Sequence, residues 1–364
     1  MGWIKKYAEL LGQYSLYLKK GELVYLRSTT LAHDLVSEFA KVCVDLGVKL
    51  EVELDYADKE EYLLANGPLE LLEYIGKHKI ELIRDCDAYL VIRAPYTKSN
   101  LFNVDPSNER IRSSALQTFQ DIYFKRLGDG SLKRSLCQFP TEYAADMANM
   151  TFLEYQKFIQ NACFLNADEP SKYWKEISAR QQHYVDYLNN VEELVYENND
   201  WRIKCNVKNR IWINSDGKSN MPSGEVFTSP IEDSVEGTIF FNYPTMIFGE
   251  VVEGIRLTVE KGVITRYKAN IGQEVLDKVF AIDGTRVFGE VAIGTNTNIT
   301  RATNNILFDE KIGGTVHMAI GQSYLQCGGK NKSSIHWDLI TDMKSGGRIY
   351  ADNKLIQENG EFLI

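Results

Sequence analysis

The hydrophobic periodicity of this chain changes once, near residues 195–200, and that change limits the folds open to it. Before it, strand-like runs alternate with helical patterns. "GELVYLRS" (21–28) precedes a helical pattern over 32–47, and "VKLEVELDY" (48–56) precedes one over 68–86. "DAYLVIRAPY" (87–96) is a continuous apolar run, followed by a helix over about 107–127 and the strand "SLCQFPT" (135–141). Strands separated by helices of this length predict a mostly parallel sheet covered on both faces. Two long helical patterns, 142–166 and 169–198, then carry the chain to the change. Beyond it the sequence is glycine-rich and alternating, as in "GTIFFNYPTMIFG", "GIRLTVEKGVITRYKAN" and "TRVFGEVAIGTN", with one short helix at "QEVLDKVFA". The expectation is an α/β N-terminal domain over 1–198, followed by an α+β, β-rich catalytic domain over 199–364.

Composition narrows the function. With 364 residues there is chain enough for two cores. Net charge is −9, without a basic stripe interleaved with aromatics, so nucleic acid is not expected as a partner. No apolar run approaches the roughly 18 residues of a membrane helix, so no membrane partner is expected. The start lacks a signal-type apolar core, which points to the cytoplasm. The six cysteines are scattered without a C-x-x-C pair, the pattern of reduced, buried thiols rather than of a disulfide framework or a thiolate zinc site. "DGKS" (216–219) is not a phosphate-binding loop, because Trp212 stands where its leading glycine would be needed.

Of five histidines, His33, His78 and His183 fall on helical patterns far from acid clusters, as surface or packing residues do. The other two lie among acids. "LFDEKIGGTVHMAIG" (307–321) holds Asp309, Glu310 and His317, and "SSIHWDLITDM" (333–343) holds His336 and Asp338. Residues two apart on a strand face the same way, so His336 and Asp338 can serve one ion while Trp337 packs behind. Either stretch alone is equally compatible with a solvent-facing strand. Glu225 in "NMPSGEVFTSP" and Glu290 in "VFGEVAIGTN" each follow a glycine, precede a valine and interrupt an otherwise core-like strand. Buried acids need partners or metals. Together Glu225, Glu290, Glu310 and Asp338 bring four negative charges and His317 and His336 two neutral imidazoles, which two divalent cations would balance. Oxygen-rich ligation with a minority of imidazoles suits zinc, cobalt or manganese in a co-catalytic pair that activates water.

"MPSGEVFTSP", "GEVAIGTN", "ILFDEKIGGTVHMAIGQSY" and "IHWDLI" resemble, in order, the motifs of the aminopeptidase T / aminopeptidase S family of dinuclear metallo-aminopeptidases, the thermophilic aminopeptidases. "ADEPSKYWKEI" in the first half is similar to that family too, so the likeness runs over nearly the whole chain. The resemblance implies metal ligation by Glu225, Glu290, Glu310, His317, His336 and Asp338, with Glu290 shared between the ions. It also implies a catalytic tyrosine at Tyr324, which donates a hydrogen bond to the developing oxyanion while Glu290 or Glu310 accepts the proton of water. The implied protein is a homodimeric aminopeptidase acting on peptides with a free N-terminus. Two rival readings remain from the residues alone: another dinuclear hydrolase of amides or phosphoesters, and a non-catalytic α/β protein that binds a small molecule.

Overall fold

The alternating first part of the chain folds as its periodicity predicts. The structure, a computed structural model, describes residues 2–97 and 104–364. Contacts divide it into two compact units: residues up to Ser171 with Gly217–Pro222, and Lys172–Asp216 with Ser223–Ile364. In the first unit the strands Leu23–Thr29, Lys49–Asp55, Ala88–Arg93 and Lys133–Gln138 and the short Asn220–Met221 form one parallel sheet. Lys49–Asp55 lies at one edge, beside Leu23–Thr29, and Asn220–Met221 at the other. The inner strands bury Val24, Tyr25, Leu26, Leu90 and Ile92, whereas the edge strand alternates charge with Leu50, Val52 and Leu54 and stays half exposed.

Local chemistry sets the ends of the helices and corrects three expected spans. His33–Leu46 stops at Gly47, whose φ of 66 is left-handed. Pro106–Gly128 starts at Asp105, which accepts the Ser107 N–H, with proline in the first turn. The helix expected over 68–86 is two, Leu69–Glu73 and Lys77–Asp85, separated by extended backbone around Tyr74 and Gly76. The one expected over 142–166 is also two, because Thr151 and Glu154 form a capping box that starts Phe152–Ala162 afresh. The one expected over 169–198 ends at Leu188, and Glu193–Glu197 is a strand. That strand pairs with Arg202–Asn206 in an antiparallel hairpin within the second unit, and position 198/199 falls in its turn.

The second unit carries the helix Pro170–Leu188 and two larger antiparallel sheets. One has eight strands, running from Val263–Lys268 at one edge through Arg202–Asn206 and Glu193–Glu197 to Glu361–Phe362 at the other. The other has five, in the order His336–Asp342, Thr315–Gly321, Phe288–Gly294, Glu225–Thr228, Ile213–Ser215. A single apolar core joins them: Ile203, Ile239, Phe241 and Leu257 from the first pack with Val291, Ile293, Val316, Met318 and Leu339 from the second. Each such side chain contributes about 1.5–3 kcal/mol on burial. The six cysteines are all buried and none is in a disulfide, and His33, His78 and His183 are exposed. Among the described residues no helix is long and apolar enough to cross a membrane.

Candidate metal centre

The five-stranded sheet is apolar on one face and acidic on the other. Val226, Val291, Ile293, Val316, Met318, Trp337 and Leu339 point into the core. The intervening residues point the other way and meet in cross-strand rows: Glu290 lies opposite Ala319, which lies opposite Asp338, and His317 stands between Ala292 and Ile340. Glu225 pairs with Gly294, and His336 with Gly321. Alanines and glycines at the partner positions leave room between the acids.

Glu290 keeps the alternation set by Val291 and Ile293, and one irregularity turns Phe288 away from it. Phe288 and Glu290 are two apart, and an unbroken strand would put both on one face. The register shifts between them, so Phe288 enters the core and Glu290 joins the acidic face. Gly289 permits this, since a Cβ there would lie 2.4 Å from the Gln322 carbonyl oxygen. Gly224, before Glu225, has φ of 120 and passes close to Asn296, so neither Gly-Glu pair tolerates a side chain at its glycine.

All seven residues implied by the sequence belong to this face or border it. Glu290 sits between the imidazoles: its Oε2 is 2.9 Å from His336 Nε2, and its Oε1 is 3.7 Å from His317 Nε2. Asp338 Oδ1 approaches His336 Nε2 at 3.5 Å, and Glu225 Oε2 approaches His317 Nε2 at 3.3 Å. Glu310 follows the short helix Ile306–Asp309 and is half-buried. Tyr324 closes the side, its ring 4.9 Å from that of His336 and 5.1 Å from that of Phe227. The negative charge of Glu290, with burial, holds the Tyr324 hydroxyl well above its ordinary range, so it keeps its proton and remains a donor.

The donor set suits divalent cations. Ligand atoms of Glu290, His317 and Asp338 lie within 4.8 Å of one another, and all three residues are buried. His336 Nδ1 donates to the Gln322 carbonyl at 2.8 Å, which turns Nε2 toward the acids, the outer-shell arrangement that orients a metal-binding imidazole. His317 Nδ1, His336 Nε2 and Asp338 Oδ1 are buried without an aligned hydrogen bond, although the latter two are close. Unpaired burial of this kind is costly, and a cation relieves it.

Protonation responds to the same field. Burial opposes charge on both imidazoles, yet the surrounding carboxylates outweigh it and push His317 up to about 9 and His336 up to about 12. Burial likewise opposes charge on Asp338, but His336 brings it down to about 2. Glu310 goes the other way, pushed up to about 8 by burial and by Glu225 and Asp338, against the pull of Lys311.

Three contributors were not legible from spacing. Gln181, fully buried on the Pro170–Leu188 helix, donates to the Glu225 carbonyl at 3.1 Å and accepts from Thr295 at 2.7 Å, fixing the start of that strand. Asp309 accepts from the Thr303 N–H and hydroxyl, both at 2.8 Å, and braces the loop before Glu310. Lys311 is fully buried between Glu225 and Glu310.

The family model described as Thermophilic metalloprotease (M29) matches residues 3–362. The chain belongs to that family. Membership makes it a metal-dependent peptide hydrolase. Aminopeptidase 2 of Geobacillus stearothermophilus is 28% identical over 88% of this chain and 84% of its own length. Aminopeptidase AmpS of Bacillus subtilis is 27% identical over 96% of this chain and 95% of its own. Aminopeptidase T of Thermus aquaticus is 36% identical over a shorter stretch, 29% of this chain and 27% of its own. Wild-type AmpT from Thermus thermophilus shares the fold, with a TM-score of 0.85 at 22% identity over 100% of this chain and 99% of that one.

Proposed function

We propose that this family member is an aminopeptidase whose centre holds two divalent ions, with zinc, cobalt or manganese suited to its nitrogen and oxygen donors. The observation that carries this reading is the placement of Glu290, one oxygen toward each imidazole, on a buried face shared with Asp338 and Glu225. We assign ligation to Glu225, Glu290, Glu310, His317, His336 and Asp338, with Glu290 as the shared carboxylate. The second compact unit is then the catalytic domain and the parallel-sheet unit its N-terminal companion, the expected division at 198/199 falling inside the second unit. Six buried, unbridged thiols fit a cytoplasmic protein, and the family likeness supports a homodimer acting on peptides.

When bound, the ions supply Lewis acidity toward the scissile carbonyl and lower the pKa of water. The remaining work falls to the chain's own groups. Tyr324, held protonated and fixed by its ring contacts, donates to the oxygen that becomes negative in the transition state. Glu310, the acid whose anion this site stabilises least, is placed to take the proton of water and pass it to the leaving amine. Glu290 is less suited to shuttle a proton, because both imidazoles hold it in its charged form.

An aminopeptidase requires a free α-amine at the site. Acetylating the N-terminus of a good peptide substrate should therefore lower kcat/KM by roughly a hundredfold or more, since the groups that receive the amine are left without a partner. Equal cleavage of blocked and free peptides would make the protein an endopeptidase instead.

Metal uptake should also release protons. An ordinary imidazole near pKa 6.5 is already neutral at pH 7.5, but His317 and His336 stay protonated there in the metal-free protein and must lose those protons to bind. Affinity should thus rise with pH through about 9, where His317 titrates, and on toward about 12, where His336 does. Calorimetric titration at pH 7.5 in two buffers of different ionisation enthalpy is expected to show release of about one proton or more. Identical heats in the two buffers would contradict this.

A further inference from the structure

Lys311 is completely enclosed, with no solvent exposure, and the mechanism above does not use it. Its ammonium touches Glu310 directly and lies 3.5 Å from Glu225 Oε1. The other oxygen of Glu225, Oε2, faces His317. Glu225 is thus held between a lysine on one oxygen and an imidazole on the other. On the Glu290–Asp338 side the close partners are His317 and His336, and Lys311 acts on Asp338 only from beyond ion-pair distance.

We propose that Lys311 is a resident cation of the centre that positions Glu225 and Glu310 and makes their half bind its ion more weakly than the His336–Asp338 half, with Glu290 shared between the two. This rests on the metal-centre reading above. The reason is Coulombic. A fixed positive charge already neutralises part of the Glu225–Glu310 pair and repels a second cation placed beside it, and in a buried site such an effect is little screened. The same charge has a benefit before metal arrives, because it offsets repulsion between the neighbouring Glu225 and Glu310 carboxylates. Four carboxylates set against two divalent ions and one ammonium leave an excess positive charge, at the place where the reaction develops a negative one. Lys311 acts through the carboxylates it holds, so it is a positioning residue rather than a catalytic one.

The test is calorimetric titration of the metal-free full-length protein with Co2+, read together with the visible absorption of the bound cobalt. The wild type is expected to bind in two steps, the second weaker by roughly tenfold or more. Lys311→Met keeps the length and packing of the side chain but removes its charge. It should tighten the second step by roughly tenfold while shifting the first by less than about threefold, a split that a general loss of packing would not produce. The variant should also melt at lower temperature without metal. Two equal steps in the wild type overturn the proposal, even if the variant fails to fold. So does a second step in Lys311→Met that is unchanged, or both steps shifting together. Absence of any cobalt binding by the wild type would instead overturn the metal-centre reading itself.

Discussion

Tyr324→Phe is expected to bind its full complement of metal and to lose kcat by roughly a hundredfold, with little change in KM. The substitution deletes one hydroxyl and keeps the ring, which rests 5.1 Å from Phe227 and 4.9 Å from His336. The backbone at this position is fixed independently, since its N–H donates to the Ser229 hydroxyl at 3.1 Å. What disappears is a donor that Glu290 and burial keep protonated. Steady-state kinetics beside elemental analysis check it. Full metal with wild-type kcat would remove Tyr324 from the mechanism.

Asp338→Ala and His317→Ala should behave differently, losing metal and rate together. Each removes one of the three closely set side chains proposed as ligands, and with fewer donors the remaining groups cannot hold an ion tightly. Activity should fall by roughly a thousandfold or more at metal concentrations that saturate the wild type. The metal-free proteins should still fold, because the apolar face of the sheet is untouched: Met318, Val316 and Leu339 pack on the opposite side from the substituted residues. A variant with wild-type metal content would show that the substituted side chain is not a ligand.

Much of this centre is legible in the sequence because strand geometry is simple. His336 and Asp338 share a face by period-two spacing, and Trp337 between them enters the core as that spacing requires. The same rule places Glu290 with Ala292, on the face opposite Val291 and Ile293, but it would have put Phe288 there too, and the bulge at Gly289 sends Phe288 into the core instead. A bulge leaves no mark in periodicity beyond the glycine itself. Lys311 was hidden for another reason. A lysine next to a glutamate ordinarily reads as a solvated surface pair, and only the fold encloses it. Gln181 likewise looks like any polar position on an amphipathic helix until the Glu225 strand is laid beside it.

Helix ends were read less well than helix positions. Thr151 and Glu154 carry a capping box that was present in the sequence, within a pattern read as one helix. The run from Val191 to Glu197 offered apolar residues that suit either a helix or a buried strand, and pairing with Arg202–Asn206 decided for the strand. That hairpin is why the expected domain boundary falls inside the second unit rather than at its edge.

The central claim is that the buried acids and imidazoles of the five-stranded sheet hold the ions on which peptide hydrolysis depends. Its most direct test is elemental analysis of the purified protein, paired with aminopeptidase assays before chelation, after chelation and after metal is restored. The account predicts bound divalent metal, loss of nearly all turnover together with a lower melting temperature on chelation, and recovery of both with zinc, cobalt or manganese. Undiminished aminopeptidase activity in protein shown to be free of metal would contradict it.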